Sequence, residues 1–106
     1  MASFDDRRRT EEARYQHDQE FLFKVRNRRN KLFGLHVAEQ LGLTGEEAEA
    51  YAKEVVLADF NRPGDDDILD KVRSDLAAKG IEVSDHALQK RFKDLEAVAK
   101  EQIKAQ

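Results

Sequence analysis

Residues 42–80 read GLTGEEAEAYAKEVVLADFNRPGDDDILDKVRSDLAAKG, and the punctuation of this stretch decides the fold. Gly42 ends one helical run, and Thr44-Gly-Glu-Glu47 has the capping-box pattern that opens the next. Ala48, Tyr51, Ala52, Val55 and Val56 recur at helical spacing and give that second run its inner face. Pro63 disfavours helical geometry at Arg62, so the run stops before Pro63-Gly64. Asp65-Asp66-Asp67 then supplies the acids that suit a helix N-terminus, Ile68, Leu69, Val72 and Leu76 form a third stripe, and Gly80 closes it.

The pattern extends in both directions. Beyond Gly80, Ser84 is placed to cap a helix whose stripe is Leu88, Phe92, Leu95, Ala99 and Ile103. Before Gly42, Val25, Leu32, Leu35 and Ala38 lie close to one stripe that Phe21 and Leu22 begin. Gly34 sits inside that helix at a cost of about 1 kcal/mol relative to Ala, which points to a close helix–helix crossing. No segment alternates with period two. The expectation is an all-α fold, a small antiparallel four-helix bundle with a flexible N-terminal arm, its helices spanning 21–41, 45–61, 66–79 and 85–104. The domain division follows: an arm over 1–19 and a four-helix bundle over 20–106. A chain of 106 residues has material for one core.

The two ends of the chain carry opposite charge. Residues 1–31 hold nine Lys/Arg against six Asp/Glu, whereas residues 32–106 hold ten against sixteen. Phe4, Ala13 and Tyr15 are the only apolar points between Ser3 and Gln19 and make no continuous stripe. Asp5–Arg9, Glu11–Arg14 and Arg14–Asp18 nevertheless sit at helical pairing distances, and Ser3-x-x-Asp6 resembles a capping start. Such pairs contribute only about 0.2–0.5 kcal/mol each, too little to hold an isolated helix. The reading is a segment that frays alone and becomes helical against a partner.

Enzyme chemistry finds no foothold. There is no glycine-rich phosphate loop, and no cysteine to act as nucleophile, disulfide or metal ligand. Counted as an EF-hand loop, Asp65-Asp66-Asp67 would place Asp70 at the required glycine and Leu76 at the required glutamate. His17, His36 and His86 lie in three different segments without paired-ligand spacing. No cofactor, metal or catalytic residue is expected. A net charge of −3 and the lack of a long apolar run argue against a general nucleic-acid or membrane binder. The cysteine-free composition fits a cytoplasmic protein.

Two segments keep alternatives open. Residues 73–95 have the outline of a helix-turn-helix, with Lys90, Arg91 and Lys93 on the would-be recognition helix, though an acidic body weakens DNA affinity. Arg26, Arg28, Arg29 and Lys31, interleaved with Phe23 and Phe33, read either as a solvated helix face or as a basic–aromatic patch. Such a patch would meet a partner's acidic surface or a nucleotide phosphate, so weak ATP or ADP contact with the bundle is a further alternative.

Several blocks in order resemble one family, the zeta subunit, the ATPase inhibitor of alpha-proteobacterial F-type ATP synthases. They are Ser3-Phe-Asp-Asp-Arg7, His17-Asp-Gln-Glu20 leading into Phe23-Lys24, Arg28-Arg-Asn-Lys-Leu32, Leu43-Thr-Gly-Glu46, Ala50-Tyr-Ala-Lys-Glu-Val-Val56 with Ala58-Asp-Phe60, and Pro63-Gly-Asp-Asp-Asp67. The resemblance implies a four-helix body and an N-terminal segment that wedges as a helix at an alpha/beta catalytic interface of F1, blocking rotation in the hydrolysis direction. It implies a regulatory protein rather than an enzyme, associated peripherally with the membrane-bound ATP synthase. Its partners would be the alpha and beta subunits, with gamma as a further candidate. The partner-binding residues expected on this basis are Phe4, Asp5, Asp6, Arg7, Arg8, Arg9, Arg14 and Tyr15. Arg7-Arg8-Arg9 is more basic than the family's usual start, and His36 stands where a tryptophan often follows Gly-Leu.

Overall fold

The structure, a computed structural model, describes residues 18–61 and 64–106. Four helices follow in order: α1 (Gln19–Gln40), α2 (Gly45–Asn61), α3 (Asp65–Ala78) and α4 (Asp85–Lys104). The all-α bundle expected from the sequence is what forms, with helix bounds within two residues of those read from the periodicity. The boundary expected at Arg62-Pro63 lies outside the described residues, but α2 and α3 end and begin on either side of it.

Local chemistry sets the helix ends. Asp18, in extended backbone, starts α1: its Oδ1 accepts from the amides of Glu20 at 2.9 Å and Phe21 at 3.4 Å. Ser84 starts α4 as expected, its Oγ accepting from the Ala87 amide at 3.1 Å. α1 and α3 both close with the same pair of reversed bonds. Leu43 N–H donates to the Ala38 carbonyl and Ile81 N–H to that of Leu76, across Gly42 and Gly80 in left-handed backbone at φ +80° and +71°. Each closure tucks its following apolar side chain, Leu43 or Ile81, against the core.

α1 is the axis of the bundle. It runs antiparallel to α2, with Arg26 near Asp59 and Gly34 near Ala52, and antiparallel to α4, with Arg28 near Gln102 and Phe33 against Phe92. α3 lies mainly on α2, where Tyr51 donates to Asp75 at 2.7 Å and Lys71 pairs with Asp75 and Glu54. Burial, and then the bond to Asp75, push the Tyr51 phenol far above its ordinary range. The main core gathers Phe33, Val37, Tyr51, Val55, Ile68, Val72, Leu76, Leu88 and Phe92 from all four helices. A smaller cluster joins Phe21 and Val25 of α1 to Ala99 of α4.

The α3 stripe of Ile68, Leu69, Val72 and Leu76 is buried throughout, as its spacing predicted. The α1 stripe needs correction. Val25 and Ala38 are buried, but Leu32 and Leu35 are half-buried and Leu22 is exposed, while Phe33, Gly34 and Val37 fill the interior. A helix covered on two sides buries a wide sector, so a single narrow stripe misassigns its edges.

Gly34 marks the α1–α2 crossing, as its position in the helix suggested. A Cβ there would lie 2.7 Å from the Ala52 Cα, a backbone atom that cannot swing aside. Gly34→Ala gains up to about 1 kcal/mol in helix propensity yet forces the two helices apart. The steric term dominates, and the substitution is expected to lower unfolding free energy by about 1–3 kcal/mol, read by urea denaturation.

Candidate functional site

The partner-binding residues read from the sequence, Phe4, Asp5, Asp6, Arg7, Arg8, Arg9, Arg14 and Tyr15, lie outside the described residues. What the structure describes is the start of α1, which follows that segment in the chain. α1 begins at Asp18, and its first turn exposes two large apolar side chains, Leu22 at 47% and Phe23 at 52%. Phe21, one residue earlier, is buried against α4. The first turn of α1 is thus pinned on one side and open on the other.

Below this turn lies a polar tie that sequence reasoning missed. Arg26 forks onto Asp59 of α2, with Nε to Oδ2 at 2.9 Å and Nη2 to Oδ1 at 3.0 Å. The fully buried Asn30 amide donates to Asp59 Oδ2 at 2.9 Å, and the Gly64 amide donates to Oδ1 at 3.4 Å. Arg29, 3% exposed, donates from Nε to Asn30 Oδ1 at 3.0 Å. Its Nη1 pairs with Glu96 of α4 at 3.2 Å. Its Nη2 reaches Asp65 of α3 at 3.1 Å as an ion pair without hydrogen-bond alignment. The guanidinium also lies 4.2 Å from the centre of the Phe92 ring, a cation–π contact. Burial alone would raise the Asp59 carboxyl, but the bonds from Arg26, Asn30 and Gly64, with the Arg26 charge, outweigh it and hold the carboxyl below its usual range. The Asp59 bonds raise Arg26 in turn, against the opposing effect of its burial.

The basic–aromatic patch is therefore divided. Arg29 and Phe33 are interior, Arg26 is tied to Asp59, and Arg28 donates to Gln102 at 3.2 Å, leaving Lys31 and Phe23 exposed. In the helix-turn-helix candidate, Arg73 is held by Asp70 at 2.7 Å and Asp85 at 2.6 Å, and Lys90 by Asp94 at 3.4 Å. Neighbouring carboxylates thus compensate Arg73 and Lys90, whereas Arg91 and Lys93 are exposed with no ion-pair partner among the described residues. His36 is half-buried; burial, then the Arg91 charge, lower its pKa against the opposing charge of Glu39. Among the described residues no group of His, Asp and Glu could hold a metal ion, and no helix is long and apolar enough to cross a membrane.

The described residues form a small helical body whose first turn exposes two large apolar side chains, a surface suited to contact with another protein. The particular family follows from comparison: the chain belongs to the ATPase inhibitor subunit zeta family, whose sequence profile matches residues 1–102. A structure solved in solution by NMR is 47% identical, superposes with a TM-score of 0.69, and is matched over 78% of this chain and 94% of its own. No curated protein matches the chain significantly. Family membership makes the chain an inhibitor of ATP synthase that associates with that enzyme.

Proposed function

We propose that the chain suppresses ATP hydrolysis by inserting residues 1–19 as a helix at an alpha/beta catalytic interface of F1, with the gamma subunit alongside. The four-helix body, residues 20–106, remains outside and holds the inserted segment. The observation that carries this reading is the extent of the family match, which runs from residue 1 through the body and so includes the arm. The start of α1 supports it: the Asp18 cap fixes where the helix begins, and Leu22 and Phe23 offer apolar surface beside that point.

The physical basis is helix-in-groove recognition coupled to folding. Ordering such a segment consumes roughly 2–5 kcal/mol of the gross interaction, so the cleft must supply specific anchors. Phe4 and Tyr15 are the large apolar side chains before Phe21 and serve as those anchors. Arg7, Arg8, Arg9 and Arg14 make charge-assisted bonds to carboxylates in the cleft, while Asp5 and Asp6 favour the helix start. Deleting residues 1–19 is expected to leave the far-ultraviolet signal of the four helices intact while abolishing inhibition of F1-ATPase. A truncated chain that inhibits as well as the full one would remove the arm from the mechanism.

A further inference from the structure

Lys24, Arg28 and Lys31 recur at i, i+4 and i+7, which places them along one stripe of α1, on the side away from Arg26 and Arg29. They line a single groove whose apolar floor is Val56 of α2 and Ile103 of α4. Asn27 and Gln106 complete the lining, which contains no Asp or Glu side chain. Lys24 pairs only with the exposed Glu20 at 3.4 Å, Arg28 meets the neutral Gln102, and Lys31 has no ion-pair partner among the described residues. The charge is local: where a second hollow continues past Lys31 toward Gly45, Glu46 and Glu49 enter its lining. Over residues 32–106 acids outnumber bases sixteen to ten, so this stripe reverses the sign of the body on which it sits.

We propose that this groove is a second docking surface, taking an acidic amphipathic segment of the F1 partner. Its apolar residues seat on Val56 and Ile103, and its carboxylates meet Lys24, Arg28 and Lys31. The occupant follows from charge complementarity and from position. Lys24 lies six residues from Asp18, about 9 Å along the helix axis, so a partner held by the arm already stands beside the groove. The inference rests on the proposed F1 interaction and adds to it a contact made by the body.

The test measures affinity of the full chain for F1-ATPase across salt concentrations, comparing wild type with the triple variant Lys24→Glu, Arg28→Glu, Lys31→Glu. These side chains lie outside the core, and an unchanged melting temperature confirms an intact body. The triple variant is expected to bind at least tenfold more weakly at low salt, the gap closing as salt rises, and the milder Lys31→Gln to lose two- to fivefold. Zero-length carbodiimide coupling of the wild-type complex should join Lys24 or Lys31 to aspartate or glutamate of an F1 subunit. Equal affinity of wild type and triple variant, or coupling confined to residues 1–19, would overturn the groove and leave the arm mechanism standing. Lost affinity for RNA or anionic vesicles with F1 binding unaltered would also overturn it. Absence of any F1 binding by wild type would instead sink the proposed function itself.

Discussion

Phe92→Ala is expected to lower unfolding free energy by about 3–5 kcal/mol, the range for truncating a buried aromatic side chain. Phe92 is 6% exposed and meets Phe33 edge-on, the ring centres 5.0 Å apart and the planes at 69°. Its face also receives the Arg29 guanidinium. Truncation removes apolar volume at the α1–α4 seam and strips Arg29 of its aromatic cover. Domains of this size are stable by about 5–15 kcal/mol in total, so the loss takes a large share of the margin. Urea denaturation should show a lower midpoint with an unchanged slope. Phe92→Leu separates the two contributions. It keeps most of the volume but neither ring contact, and should cost about 1–2 kcal/mol. A Leu variant as stable as wild type would mean that the stacking and cation–π contacts add nothing to packing.

Asp59→Ala should destabilise by about 3 kcal/mol, because it removes the acceptor shared by Arg26, Asn30 and the Gly64 amide. Asn30 is fully buried and would be left with an unpaired amide. The same carboxylate gives stability a defined pH dependence. Its folded pKa lies below the unfolded value near 3.8, so its contribution is complete above that value. The contribution is lost as pH falls through the lower folded pKa. Asp59→Asn keeps the shape without the charge and should flatten this acid limb. Urea midpoints from about pH 6 down to about pH 2 for wild type and variant test it: parallel profiles would show that Asp59 is not the group responsible.

How far the fold was legible follows from how each helix is used. α3 covers the core from one side, and its four apolar residues at helical spacing mark that side without ambiguity. α1 carries neighbours on two sides, and two of its buried positions are Arg29 and Asn30. Read one residue at a time, an arginine beside an asparagine looks solvent-facing. Their burial depends on Asp59, Asp65 and Glu96, which lie 29 to 67 positions away in the chain and on three other helices. No local pattern encodes that pairing. Gly34 was the exception within α1, because a glycine in a helix interior carries a cost that a close crossing explains. The Asp18 cap was legible in principle, as an aspartate three residues before an apolar run, yet Phe21 looked like the natural start. The arm could be read only through charge spacing and family pattern, since its few apolar residues form no stripe.

The polar tie on α1 also has a mechanical side. Arg26 and Arg29 lie eight and eleven residues from Asp18, about 12 and 16 Å down the helix. Through Asp59, Asp65 and Glu96 they brace α1 to α2, α3 and α4. A pull applied at residue 18 along the axis is therefore shared among all four helices within about three turns, instead of peeling α1 away from its end. A tether anchored in this way resists load as a single body.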